Sequence, residues 1–247
     1  MKKLDCLTKE SIKILHKNRL FQPLIKAEYL KEVLSNVVIE NDLIETNIKT
    51  FKSRLGIDSD DKFDKWLTTH ELDLEEFKYI ASQNELIKSF AKEKFDRQVE
   101  ARFLERKSDL DIIVYTLIRV SRPTLANELY LRAKGNEEDM GTLASLYSEG
   151  IERKTRGIVG PVPISSANPK LANHLKKSTL GEVKMPIIID KIFLITRLEV
   201  LEAATLDDFM RVKMREELFN KWLDREVEIQ TDNFLARDKE ISTIEKS

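Results

Sequence analysis

Cysteine is nearly absent. Cys6 is the only one in 247 residues, so no disulfide can close within the chain, and its place near the N-terminus suits an incidental apolar residue better than a nucleophile. Histidine is scarce as well. The three present, His16, His70 and His174, belong to no HExxH, Cys-x-x-Cys or Ser-His-Asp order, and there is no phosphate-binding loop, so neither a metal nor a cofactor is expected. Neither sign of charge dominates: 42 basic side chains face 43 acidic ones, without the basic excess that a general nucleic-acid binder needs to displace counterions. No stretch approaches the ~20 consecutive apolar residues of a membrane span, and the first ten residues hold no apolar run of signal-peptide length. The sequence as it stands therefore reads as cytoplasmic and without membrane insertion. Glycine and proline are also few, seven and six, where average usage would make them about 12% of the chain. Long helices follow from that shortage.

The shortage is uneven. Eleven of the thirteen glycines and prolines lie between Pro123 and Pro186, the exceptions being Pro23 and Gly56. Helical ends around a turn-rich middle are the consequence. Ile44, Ile48, Phe51 and Leu55 form one helical stripe, closed by Gly56. Ser59 and Asp60 cap a short helix around Phe63, Trp66 and Leu67. The three acids Asp58, Asp60 and Asp61 hint at a calcium loop, but the glycine such a loop needs at its sixth position is Phe63, so the cap is the better reading. A longer helix is expected from Asp73 through Phe77, Ile80, Ile87, Phe95, Val99 and Phe103. At the far end Thr205 to Asp208 has the form of a capping box ahead of Val212, Phe219, Leu223 and Val227.

The middle changes period. Ile112 to Val120 is crowded with β-branched residues and reads as a strand buried on both faces. Pro123 opens a helix ending at Gly135, a short helix runs from Gly141 to Tyr147, and Gly157 to Pro163 is a strand. Pro169 begins a helix through Leu171 and Leu175. Ile187–Ile189 and Ile192–Ile195 then flank Asp190-Lys191 as a hairpin.

In that order, Gly141-Thr142-Leu143-Ala144-Ser145-Leu146-Tyr147-Ser148-Glu149-Gly150, Gly157–Pro163, Pro169-Lys170-Leu171-Ala172-Asn173-His174-Leu175 and Thr179-Leu180-Gly181-Glu182-Val183 resemble the phrases of parvulin peptidyl-prolyl isomerases. The framing helices resemble the SurA and PrsA type of chaperone. The resemblance implies an α+β fold: a helical domain from both chain ends, 1–108 and 201–247, around a parvulin-like βααβαββ module at 109–200. It also implies a polar cluster on the first strand, the Gly157 strand and the final hairpin, at positions matched here to Thr116, Ile158 and Phe193. None of the three is ionisable. Thr116 is left as the candidate catalytic side chain, and Ile158, Leu171, His174, Leu175, Met185 and Phe193 as the candidate lining of an apolar peptide groove. The implied function is a chaperone of unfolded or precursor peptides, with isomerase activity weak or lost and a place in peptide maturation or export. Two alternatives stay open: an isomerase working by desolvation with Thr116 and Ser165 or Ser166 as donors, and a scaffold for one partner. No motif sets an oligomeric state.

Overall fold

The computed structural model describes residue 4 and residues 6–244, with side chains described through residue 236. The chain divides into two compact units, Met1–Glu100 with Asp208–Ser247, and Ala101–Asp207.

The first unit is helical: α1 (Lys9–Lys17), α2 (Phe21–Leu34), α3 (Asn41–Arg54), α4 (Asp60–Thr69), α5 (Leu74–Phe95), the start of α6 (Val99–Leu110), and the C-terminal α10 (Asp208–Ile244). Local chemistry sets several starts. The Thr8 and Ser59 hydroxyls cap α1 and α4, and Asp73 caps α5 in a reciprocal box with Glu76. α10 packs against α2 and α5, burying Phe219, Leu223 and Val227 with Phe21, Ile25, Leu34, Leu86 and Phe95. Trp222 of α10 meets the rings of Tyr29, Phe90, Phe95 and Phe219 at 5.3–6.0 Å. A second aromatic group centres on Phe77 of α5, whose fully buried ring meets Phe51, Phe63 and Trp66 at 5.6, 4.7 and 5.5 Å. These contacts fasten α3 and α4 to α5.

Two expectations at the helical ends are corrected. The helix from Asp73 does not continue to Phe103: a 3-10 turn at Asp96–Gln98 separates α5 from α6, with Phe95 and Val99 on either side of it both buried. Nor does α10 begin at Thr205. The Ala204 amide donates to the Asp111 carboxylate at 2.9 Å, which ties the chain back to the start of β1, and the helix starts at Asp208.

The second unit holds the rest of α6, β1 (Ile112–Val120), α7 (Pro123–Lys134), α8 (Met140–Tyr147), β2 (Ile158–Pro163), α9 (Pro169–Lys176), β3 (Val183–Ile189) and β4 (Ile192–Glu202). The strands form one antiparallel sheet in the order β2-β1-β4-β3. Asp190 and Lys191 both take positive φ, 47° and 68°, as a two-residue hairpin of the primed type demands. Gly157, at φ +78°, stands where a Cβ would lie 2.7 Å from the Ala144 methyl and 2.8 Å from the Leu117 carbonyl oxygen, so only glycine lets β2 leave α8 this closely. One sheet face carries Ile113, Tyr115, Leu117, Leu194 and Leu198 against Leu171, Ala172 and Leu175 of α9. The other carries Ile118, Val120 and Ile195 against Ala126, Leu129 and Ala133 of α7 and Met140, Leu143 and Ala144 of α8.

Phe77→Ala empties the centre of the smaller aromatic group and is expected to cost about 3–5 kcal/mol, read as a lowered denaturation midpoint followed by tryptophan fluorescence. An unchanged midpoint would show that α3 and α4 are held by something else.

Candidate functional site

The sheet's pleat decides which of the expected site residues can meet. Successive side chains of a strand point to opposite faces, and a slip of one residue transfers each to the other side. Thr116 alternates with Ile118 and Val120, so it lies on the α7–α8 side, where its methyl group neighbours Gly157. Its buried hydroxyl donates to Glu199 Oε1, and the Arg197 guanidinium Nε–H donates to the same oxygen at 2.7 Å. Glu199 is the extra residue of a β-bulge: Tyr115 faces Leu198 across the β1–β4 ladder while Val114 faces Val200. Phe193 packs on the same side as Thr116, against the α7–α8 core.

Leu171 and Leu175 are on the opposite side, 5% and 1% exposed, and with Ala172 they fill the space between α9 and the sheet. The sheet therefore separates Thr116 and Phe193 from the residues expected to line a groove with them. The strand side chains that do share the α9 face are their sequence neighbours, Tyr115 and Leu194. Burial pushes the Tyr115 hydroxyl above its ordinary pKa, against the lowering effect of the Arg119 guanidinium. Sequence reasoning passed over Tyr115 because both faces of β1 are apolar, which erases the alternation that would have assigned each residue a side.

The remaining expected lining is dispersed. Ile158 is 50% exposed on β2 and Met185 69% exposed on β3, and those strands are the two opposite edges of the sheet. Both edges carry proline, Pro161 and Pro163 on one and Pro186 on the other, which removes ladder donors and disfavours pairing with an added strand. Ser166 donates its hydroxyl to the Pro163 carbonyl at 2.7 Å, while Ser165 is exposed. His174 of α9 is half-buried, its Nε2 has no hydrogen-bond partner, and burial together with the nearby Lys184 ammonium holds its pKa below the usual value. Among the described residues no group of three or more His, Cys, Asp or Glu side chains is placed to hold a metal ion, and no helix is long and apolar enough to cross a membrane. A cleft of about 1020 Å³ does open in the helical unit, between α3, α5 and α10.

Two measurements check this assignment. Thr116→Val removes a donor from the Glu199 carboxylate and is expected to destabilise the protein by about 1–2 kcal/mol in chemical denaturation, whereas an exposed, uncommitted threonine would tolerate the change. His174 has a folded pKa below its unfolded value of about 6.5, so the unfolded chain takes up the proton more readily; the neutral ring's contribution is intact above that value and is lost as pH falls below it. His174→Gln should flatten the fall in stability between about pH 7 and pH 5, and equal slopes in both proteins would contradict the burial of a neutral ring.

No family model matches the sequence, and no curated protein matches it significantly. Solved structures do match. A crystal structure of the peptidylprolyl isomerase PrsA from Bacillus cereus aligns with a TM-score of 0.50 and 14% identity, over 94% of this chain and 88% of that one. PrsA from Bacillus anthracis aligns at 0.45 and 15% identity over 87% and 97% of the two chains, and the foldase protein PrsA from Streptococcus pneumoniae at 0.46 and 14% over 92% and 90%. The chain thus has a PrsA-like fold, the α+β architecture implied by its resemblance to the parvulins.

Proposed function

We propose that this chain is a parvulin-type chaperone that holds unfolded or precursor peptides and rotates Xaa-Pro bonds weakly or not at all. The fold supports the first clause. The filled α9 face carries the second. Rotating the imide bond means crossing a barrier of ~18–20 kcal/mol, and a catalyst lowers it with donors or a desolvating pocket that the substrate can reach. Here the hydroxyls on the α9 face belong to Tyr115, which packs with Leu171 and Leu175, and to Thr196, which pairs with Leu117 across the ladder; the two residues are 5% and 0% exposed. Thr116 is committed to Glu199 on the other side. No proline ring can enter between Leu171, Leu175 and the sheet without displacing core.

Exchange NMR on a Xaa-Pro tetrapeptide tests the catalytic clause: the wild-type chain should leave cis/trans exchange, tens of seconds without a catalyst, within about twofold of the peptide alone. Turnover at ordinary parvulin rates would overturn it. Light scattering of several chemically denatured proteins diluted into the chain tests the holding clause. Suppressed aggregation of more than one client is expected, and protection of none would refute a general chaperone.

A further inference from the structure

α9 is a short cover over one face of the sheet, and the chain is anchored on both sides of it. Before α9, buried Ile164 donates its amide to the Asp111 carbonyl at 2.8 Å; after it, the Gly181 amide donates to the Leu198 carbonyl at 2.7 Å. Between these anchors α9 is held by the burial of Leu171, Ala172 and Leu175 and by an ion pair from Lys176 to Asp109 at 2.8 Å.

The layer beneath is imperfectly paired. Oγ1 of Thr196 on β4 and Nε2 of His174 on α9 are both shut off from solvent without a hydrogen-bond partner. Lys184 pairs with Thr196 across the β3–β4 ladder, so the two share the α9 face, and the Lys184 ammonium is close enough to His174 to oppose a proton on the ring. Two polar groups without partners weigh against the closed arrangement, and water satisfies both once α9 lifts. Three apolar side chains weigh for it, so the closed form dominates while the histidine is neutral.

Charge decides what happens when the ring is protonated. α9 and its C-cap carry Lys170, Lys176 and Lys177, and β3 adds Lys184. The carboxylates that face them are engaged: Asp109 of α6 with Lys176, and with Arg106 at 3.9 Å, and Glu182 with Lys184 at 2.7 Å. β1 turns Tyr115 and Arg119 to this face, and Arg119 pairs with Glu152 at 3.4 Å; β4 adds no charged group to it. A proton on His174 therefore meets a positive surplus and no uncommitted acid among the described residues around it. Hydrogen bonds from Lys176 and Lys184 hold the Asp109 and Glu182 carboxyls below the ordinary carboxylate range, so between pH 7.5 and pH 5.5 the histidine is the group of this set that changes charge.

We propose that α9 is an acid-released lid: a proton on His174 repels Lys184 and lifts α9 from the sheet, uncovering Tyr115, Leu194, Thr196 and Leu198 while both anchors hold. Burial and Lys184 lower the affinity of the closed form for that proton, and the open form regains it in water. Opening thus takes up a proton and is favoured as pH falls below about 6.5. The lid is independent of the chaperone reading, since it controls access to this face whatever occupies it.

Amide hydrogen exchange of the full chain, followed by NMR and corrected for the pH dependence of the intrinsic rate, reads the opening directly. Residues 172–177 of α9 should be protected about tenfold less than residues 126–133 of α7, because the lid opens without unfolding the unit. From pH 7.5 to pH 5.5 the α9 protection should fall severalfold in the wild-type chain. His174→Gln should abolish that fall and Lys184→Gln should reduce it. Thr196→Val should raise α9 protection at both pH values by removing an unpaired buried hydroxyl, a gain that a poorly folded variant would not show. Equal protection of α9 and α7 at both pH values would overturn the lid, and so would a fall that His174→Gln retains.

Discussion

In the β1–β4 pair, each strand alternates its side chains between two helix layers, and both layers are complete. Ile113, Tyr115 and Leu117 belong to α9, and Ile118 and Val120 to α7 and α8. Each inward side chain therefore has one available role, set by whether its position in the strand is odd or even. This alternation places Thr116 with Glu199 and Arg197, places Phe193 with the α7–α8 core, and leaves Tyr115 and Leu194 as the neighbours of Leu171. Close packing does the rest: interiors hold few voids wider than a water molecule, so a face filled by leucines has no space for a ligand.

The helical unit meets its burial demands unevenly. α10 has apolar partners on α2 and α5, and its aromatic contacts run along Trp222 and Phe219. α3 is held chiefly at its C-terminal end, where Phe51 reaches Phe77, while toward its N-terminus Leu43 borders open cleft. A half-covered apolar stripe and an Asn47 whose buried Nδ2 has no hydrogen-bond partner are tolerable in a folded chain whose other contacts are strong.

Much of the fold was legible in the residues. The Ser59 cap, the helix start at Asp73, the proline starts of α7 and α9, and the Asp190-Lys191 hairpin all depend on side chains bonding to nearby backbone or on local φ preferences, and all were found where expected. The misses have a different origin. The break after Phe95 and the late start of α10 are decided by burial on both sides of a turn and by a hydrogen bond from Ala204 to Asp111, 93 residues away. The candidate site was the least legible part, since a strand that is apolar on both faces gives no sign of which side chain faces which helix.

Composition and local spacing thus determined the element order: few turn-makers at the ends, a cluster of them in the middle, and caps and turns at definite residues. Those features act over a few residues, so a linear reading can recover them. The side of the sheet to which Thr116 points, the closure of α9 over its own core, and the cleft that Asn47 borders were settled by the folded chain. Each depends on which distant helix covers a given face, and that is a matter of packing between elements far apart in sequence, which local preference leaves open.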